Sequence, residues 1–415
     1  MLKKIGAITA VDALTKLLGY LLLPVYLGLM PKIEFGEFGY LTSAIAYTSL
    51  IFGLCLYVPF IRNYCAADND IEKKKIVSTI FIGLVLWLLL VDISFIALKP
   101  FFQDIFEKFF EIKIFGSIKY YLFIGAINSG IVLLYCYALL MARKTTSEIV
   151  GYLLIKFFIL TSINILCIYA NLWGKDTVVN RLLATVVAEF LITIAYFSYK
   201  FISFFSWFFD RGVFFANLRI AIPLIPAALI SLFTSVIDRR LIAQYHGLAD
   251  LANYNLALQA LAPMQMLMSA VQVAWAPHLF SIKKKKDALE RSTRLIWISL
   301  GVMCLMALII SFAVYFAIHE KFISEDYDSV PMIILVASVG AIANALVQLN
   351  NNMFVQFDKT TMQFFLSLLL LSLNWTFNIY LVPIYSSYGA AMAAGVANTL
   401  VLVIGLRLLH KDIIR

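Results

Sequence analysis

The sequence has few charges, which excludes an ordinary soluble domain. Only 14% of its 415 residues are charged, whereas 62% are hydrophobic. Soluble domains contain about 25% charged and about 45–50% apolar residues. The apolar residues occur in runs of about 20 or more, the length that crosses a bilayer as a helix. Because helices satisfy their own backbone hydrogen bonds in lipid, we predict an all-α polytopic membrane protein.

Motifs for metal, nucleotide and covalent chemistry are also missing. The five cysteines and four histidines are scattered, with no CxxC pair, so neither a disulfide framework nor a metal site is expected. No GxxxxGK[ST] loop, HExxH motif or nucleophile elbow is present. We therefore predict that the chain is not an enzyme, does not hydrolyse ATP itself and carries no cofactor.

Hydropathy predicts about twelve transmembrane helices. The first six lie at roughly 5–30, 38–63, 76–99, 118–142, 149–171 and 179–200. The second six lie at roughly 214–237, 251–278, 293–318, 330–355, 362–383 and 388–409. Lysines and arginines concentrate in the loops on one side, as in Lys283–Lys286, which predicts that both termini are cytoplasmic. The net charge of +9 then reflects contact with an anionic inner leaflet, and nucleic acid is not an expected partner.

An aromatic segment divides the chain near its centre. Residues 201–213 are too few to span the bilayer, and their aromatic rings suit headgroup depth. We interpret this segment as an interfacial amphipathic connector between an N-terminal six-helix bundle, 1–200, and a C-terminal six-helix bundle, 214–415.

Ionisable residues inside the predicted spans are candidate functional groups, because burying a charge in lipid is costly. In the first span, Asp12 and Lys16 either neutralise one another at i,i+4 spacing or line an aqueous cavity. Lys156 and Glu189, in the fifth and sixth spans, form either a site or a structural ion pair between helices. Asp12 and Glu189 are possible groups for coupling to H⁺ or Na⁺.

Two arginines and several amides complete the predicted set. Arg62 and Arg219 lie near inner ends of spans, where snorkelling to the interface is the ordinary alternative. The amides form stripes near helical spacing: Asn344, Gln348 and Asn352, then Asn374 and Asn378, then Gln265 and Gln272. They either join helices by hydrogen bonds or line a polar interior suited to sugar hydroxyls.

Ordered motifs occur along most of the chain. They comprise Leu14–Pro24, Glu37–Tyr40, Leu54–Tyr64, Ile222–Pro226 and the pair Asp238-Arg239. Together they resemble the Wzx-type polysaccharide repeat-unit flippases, the O-antigen and capsule exporters of the multidrug/oligosaccharidyl-lipid/polysaccharide exporter superfamily.

The resemblance implies two six-helix lobes related by a pseudo-two-fold axis along the membrane normal, and alternating access. It implies that a polyprenyl-pyrophosphate-linked oligosaccharide crosses the inner (plasma) membrane from the cytoplasmic to the periplasmic leaflet. It also implies cationic cavity residues, matched here by Lys16, Lys156 and Arg219, to which Arg62 is added. A polysaccharide polymerase and a chain-length regulator are the implied protein partners.

Two other functions stay open at this point. A cation-coupled multidrug exporter of the same superfamily would need acidic cavity residues, whereas the deep charges here are of both signs. A membrane polysaccharide polymerase or glycosyltransferase generally needs a large external loop with catalytic residues. No predicted loop exceeds about 18 residues.

Overall fold

A computed structural model describes residues 11, 14–15, 18–19, 22–110, 117–143, 146–196, 205–222, 225–282, 285–356 and 360–414. Regular structure in these ranges is helical throughout, which confirms the predicted all-α class. Helices predominate because each predicted span is a long apolar run whose backbone must bond within itself.

The chain divides into two compact units, Met1–Val236 (unit 1) and Ile237–Arg415 (unit 2). The helices that begin in unit 1 are α1 Leu23–Leu29, α2 Lys32–Phe52, α3 Tyr57–Ala66, α4 Asp70–Ala97, α5 Lys99–Phe110, α6 Ser117–Arg143, α7 Thr146–Tyr169, α8 Thr177–Tyr196, α9 Arg211–Ala221 and α10 Ile225–His246. Those of unit 2 are α11 Leu248–Ala260, α12 Ala262–Ser281, α13 Lys285–His319, α14 Val330–Gln356 and α15 Thr360–Ile414. The boundary between the units lies inside α10.

Within the described residues, seven helical stretches are long and apolar enough to cross a membrane. They are Asp70–Ala97, Ile118–Arg143, Ser147–Tyr169, Thr177–Ala195, Lys286–His319, Glu325–Phe354 and Met362–Leu409. The last stretch contains two of the predicted spans. A multi-pass membrane protein is therefore confirmed.

The second predicted span is broken in its middle, between α2 and α3. At the break Leu54 has a φ of 54°, a left-handed value that ends the regular helix. The carbonyl groups freed there find new donors. Trp87 Nε1 donates to the carbonyl of Phe52 (2.9 Å), and the Tyr135 hydroxyl donates to that of Gly53 (3.0 Å). Neighbouring helices thus satisfy the backbone, as a break at membrane depth requires.

The last two predicted spans form one element, α15, bent at Ser386, where φ is 52° and ψ is −131°. The bend is held by Asp250 of α11. Its carboxylate accepts a hydrogen bond from the Ser386 hydroxyl (2.6 Å), and its carbonyl accepts one from the Ser387 hydroxyl (2.8 Å). The expected short loop is therefore replaced by a kink that keeps both halves helical.

In unit 2, α14 packs closely against α15 at small residues. A Cβ atom placed on Gly340 would lie 3.1 Å from the backbone nitrogen of Gly395. Such contacts between small residues let two helix backbones approach in lipid, where packing replaces the hydrophobic effect as the driving force. Further along α14, large apolar side chains are fully buried, including Met353 and Phe354.

The Asp238-Arg239 pair serves packing within unit 2. The Asp238 carboxylate accepts a 2.6 Å hydrogen bond from the Tyr254 hydroxyl. Arg239 Nε donates to the side-chain oxygen of Asn255 at 3.2 Å. These bonds join α10 to α11, so the motif that contributed to the resemblance holds two helices together.

Residues 205–210 of the predicted connector form neither helix nor strand and lie on α4. Lys75 Nζ is 2.5 Å from Asp210 Oδ2, and the Ser206 backbone N–H donates to Ser78 Oγ at 2.7 Å. Trp207 is 93% exposed, which suits a ring placed at a lipid headgroup. At the start of α9, Phe214 packs directly on Gly83, where a larger residue would collide with its ring.

Candidate functional site

Unit 1 contains a cavity of about 670 Å³ between α2, α6, α7 and α8. This volume is within the range of small-molecule sites, about 300–1,000 Å³. Its wall is largely apolar, with polar groups at a few places. The polar lining side chains are Thr42, Ser49, Tyr137, Tyr152, Lys156, Thr185 and Glu189.

Lys156 and Glu189 are the charged groups among the residues that line this cavity. They come from α7 and α8, and the Lys156 charge acts on the Glu189 carboxylate. The same carboxylate accepts a short hydrogen bond, 2.6 Å, from the Ser129 hydroxyl of α6. The structure thus brings together two residues that the sequence indicated separately. Ser129, which bonds to Glu189, comes from a third helix, α6.

Two tyrosines form one wall of the cavity. The rings of Tyr137 and Tyr152 stack with centroids 5.8 Å apart and an interplanar angle of 26°. The Tyr152 hydroxyl donates to the carbonyl of Leu133 at 3.4 Å. Aromatic faces beside hydroxyl and charged groups are suited to a ligand with both apolar and polar surfaces.

One face of α8 carries Arg181, Thr185 and Glu189 at four-residue spacing. Thr185 and Glu189 line the cavity, and Arg181 lies one turn beyond it. The Arg181 guanidinium carbon is 4.2 Å from the ring centroid of Tyr26 and 4.0 Å from that of Phe38. We call the side chains of Arg181, Tyr26 and Phe38 together the Arg181 clamp.

An ion-pair network caps the same end of unit 1. Lys119 Nζ lies 2.7 Å from Glu37 Oε1 and 3.0 Å from Asp176 Oδ2. Glu34 accepts from the backbone N–H of Thr177 at 2.8 Å. These contacts connect α2, α6 and the start of α8, and Lys119 neutralises two of the carboxylates there.

The other predicted ionisable residues are not seen in the cavity lining. Asp12 and Lys16 lie outside the described residues. Arg62 of α3 and Arg219 of α9 are exposed, which agrees with the snorkelling alternative for each. Their predicted role as cavity cations stays a prediction.

The predicted amides all belong to unit 2, whereas the cavity belongs to unit 1. Asn374 and Asn378 are buried, and Asn378 donates to the side-chain oxygen of Asn374 at 2.8 Å. Because this bond is made within one helix, these two residues pack inside unit 2 instead of presenting a free polar stripe.

The remaining predicted amides are more accessible. Gln272 donates to the side-chain oxygen of Gln348 at 2.7 Å, which joins α12 to α14. Asn344, Gln348 and Gln265 are exposed, and Asn352 is partly exposed. Their proposed contact with sugar hydroxyls stays a prediction.

Sequence reasoning missed Ser129, Thr185 and Arg181. Serine and threonine are common in spans, so single hydroxyls carried no signal. Arg181 lies near the start of a span, where snorkelling to the interface is the ordinary interpretation. The four-residue spacing of Arg181, Thr185 and Glu189 was the available signal, because it places all three on one helix face.

The sequence profile of the family described as "Polysaccharide biosynthesis protein" matches residues 1–283. The chain belongs to this family. The matched part includes all of unit 1, and therefore every residue of the cavity. Membership confirms the predicted resemblance at the level of family.

Solved structures confirm the fold. A multidrug resistance MATE family transporter of the MOP superfamily, in an inward-facing conformation, is 12% identical with a TM-score of 0.66 over 97% of this chain and 98% of that one. The lipid II flippase MurJ, in an inward closed conformation, is 17% identical with a TM-score of 0.65 over 95% and 87%. A MOP superfamily transporter from Pyrococcus furiosus is 12% identical with a TM-score of 0.64 over 98% and 94%. No curated protein matches the chain significantly.

Proposed function

We propose that the chain is a flippase that carries polyprenyl-pyrophosphate-linked oligosaccharide repeat units from the cytoplasmic to the periplasmic leaflet of the inner membrane. Its membership of a polysaccharide biosynthesis family and its transporter fold support this proposal. The main observation is the unit 1 cavity, in which Lys156 stands among hydroxyl groups and aromatic rings.

The chemistry of the cavity fits such a cargo. An ammonium group attracts the oxygens of a diphosphate, and hydroxyl groups exchange hydrogen bonds with sugar hydroxyls. The prenyl tail stays in lipid while the headgroup crosses, and the cavity opens alternately to each side of the membrane. Outward movement of an anion is favoured by an inside-negative potential, by about 2.3 kcal/mol per charge per 100 mV.

The proposed process is transport without a covalent step, so no catalytic residue is assigned. Glu189, and Asp12 beyond the described residues, are the acidic groups proposed to exchange H⁺ or Na⁺ during the cycle. Both termini are placed in the cytoplasm by the distribution of lysine and arginine. A polysaccharide polymerase and a chain-length regulator are the proposed partners.

The experiment is complementation of a host in which this gene is deleted. We expect the deletion to remove surface polysaccharide and to cause lipid-linked repeat units to accumulate in the cytoplasmic leaflet, with both effects reversed by the wild-type gene. Lys156→Gln should restore at most about a tenth of the wild-type polysaccharide at matched protein level, since a charged contact contributes about tenfold or more. Lys175→Gln changes an exposed lysine of a loop in the same unit and should behave as wild type.

Each alternative function gives a different result. Accumulation of single units already in the periplasmic leaflet would show a polymerase. Normal polysaccharide together with drug sensitivity in the deletion host would show a drug exporter. Either result contradicts the proposed flippase.

A further inference from the structure

Within the described part of the chain, the guanidinium of the Arg181 clamp forms no ion pair with a carboxylate. Arg181 is partly buried, and its Nη1 donates to the sulfur of Met30 at 3.2 Å. Across the described part of the chain, the Tyr26 hydroxyl is the sole acidic group that acts on this guanidinium. At the same end of unit 1, the carboxylates of Glu37 and Asp176 are paired with Lys119.

The contacts of the clamp use only part of the binding capacity of the guanidinium. Two aromatic rings cover the guanidinium at 4.2 and 4.0 Å, as in a cation–π sandwich. The five N–H donors of an arginine lie in its plane and point away from the covered faces. One of them bonds to a sulfur atom, which is a weak acceptor. The remaining edge is the part that binds an oxyanion through two parallel hydrogen bonds.

The clamp is adjacent to the cavity. Thr42 lies four residues after Phe38 on α2, and Thr185 lies four residues after Arg181 on α8. Both threonines line the cavity, so the clamp is about 6 Å, one helical turn, beyond its wall. In the proposed topology this end of unit 1 faces the periplasm.

We propose that Arg181 is a second binding group for the diphosphate of the cargo, at the exit side of the Lys156 cavity. This inference rests on the proposed function. Lys156 receives the diphosphate in the cavity, and the edge of Arg181 binds it as the headgroup moves outward. The rings of Tyr26 and Phe38 hold the guanidinium plane in position, which reduces the entropy lost on binding.

The test measures binding to the purified, detergent-solubilised full chain. The probes are inorganic pyrophosphate, undecaprenyl pyrophosphate and, as an unrelated anionic lipid, phosphatidylglycerol. We expect both diphosphates to bind with an affinity that falls about tenfold or more in Arg181→Gln, the effect of losing a bidentate charged contact. Arg181→Lys keeps the positive charge but loses the two parallel N–H donors, so its affinity for the diphosphates should fall about threefold. Lys175→Gln should bind as wild type.

A second variant separates binding from folding. Tyr26→Leu removes one ring of the clamp but keeps the arginine, so it should lower the melting temperature while diphosphate binding weakens less than in Arg181→Gln. If Arg181→Gln and Tyr26→Leu lower the melting temperature alike and both bind diphosphate as wild type, the clamp is structural and the proposal is wrong. It is also wrong if phosphatidylglycerol binds as tightly as the diphosphates and with the same dependence on Arg181.

The two proposals fail in different ways. If Arg181-dependent diphosphate binding is found but the gene does not restore surface polysaccharide, the site stands and the proposed cargo is wrong. If polysaccharide is restored but Arg181→Gln binds and complements normally, the flippase stands and the exit site is wrong.

Discussion

The hydroxyl of Ser129 donates a 2.6 Å hydrogen bond to the Glu189 carboxylate and so connects α6 to α8 beside the cavity. The bond fixes the direction of an acidic group that also experiences the charge of Lys156. The bond joins two helices of unit 1 at this carboxylate, and a third helix, α7, carries the lysine whose charge acts on it. A change in its charge during transport would be felt by all three.

Ser129→Ala is expected to lower surface polysaccharide several-fold in the complementation host, because Glu189 loses the donor that orients it. Ser129→Thr keeps a hydroxyl and should retain most of the activity. Ser94→Ala is the matched control, since Ser94 is a serine of a spanning helix that bonds to the carbonyl of Leu90 in its own helix. Equal activity in the Ser129→Ala and Ser94→Ala variants would show that the bond to Glu189 has no part in transport.

Lys119→Met should destabilise unit 1 more than Lys108→Met, although each lysine lies 2.7 Å from a carboxylate. The Lys119 and Glu37 side chains are 17% and 10% exposed, so removing the lysine leaves a buried charge unpaired. Breaking a buried pair costs about 3–5 kcal/mol, whereas an exposed pair contributes about 0–1 kcal/mol. The melting temperatures of the two purified variants test this. Equal values would mean that water reaches Glu37.

Gly340→Ala should lower the melting temperature, whereas Gly301→Ala should leave it unchanged or raise it. A Cβ atom on Gly340 would lie 3.1 Å from the backbone of Gly395, which can move only if α14 and α15 separate. Gly301 has no atom within 4 Å of the corresponding position, and alanine favours a helix over glycine by about 1 kcal/mol. A stabilising effect at both positions would show that the two helices are less closely packed than described.

The contact of Lys75 with Asp210 predicts a stability difference that depends on pH. The hydrogen bond from Lys75 to Asp210 holds the pKa of that carboxyl below its ordinary value. The stabilisation of the folded state by this ion pair is therefore present above the unfolded pKa of about 3.9. It is lost as the pH falls through the lower pKa of Asp210 in the folded state.

Wild type should melt at a higher temperature than Asp210→Asn at pH 7, and the difference should disappear toward about pH 3, where the protonated acid resembles the amide. Asp68→Asn changes an exposed aspartate of the α3–α4 loop and should show no such convergence. A difference between wild type and Asp210→Asn that is constant with pH would contradict the ion pair.

Most of the secondary structure could be predicted from hydropathy. The predicted spans 149–171 and 179–200 match helices α7 and α8 closely, and the predicted span 293–318 ends next to the last residue of α13, His319. Each of these spans is a single apolar run. The break at Leu54 could not be predicted. Its freed carbonyls are satisfied by Trp87 and Tyr135, which lie on other helices and are separated from it in sequence.

The candidate site could be predicted in part. Lys156 and Glu189 were found because a charge inside an apolar run is costly and therefore conspicuous. The sequence did not determine whether these two residues lie close together, because a structural ion pair and two separate functional roles both place charges inside apolar spans. Asn378 shows the opposite limit, because its polar stripe left open either hydrogen bonds between helices or a polar interior, whereas the residue bonds to Asn374 in its own helix.

The amino-acid sequence alone determined that this chain crosses a membrane many times as helices and that few ionisable groups lie within those helices. Both facts depend on hydrophobicity along one helix, which is a local property. The tertiary structure decided that Ser129, Lys156 and Glu189 meet beside one cavity and that Tyr26 and Phe38 enclose Arg181. Those pairings depend on the rotation and distance between helices, which are set by packing across the bundle and not by any single span.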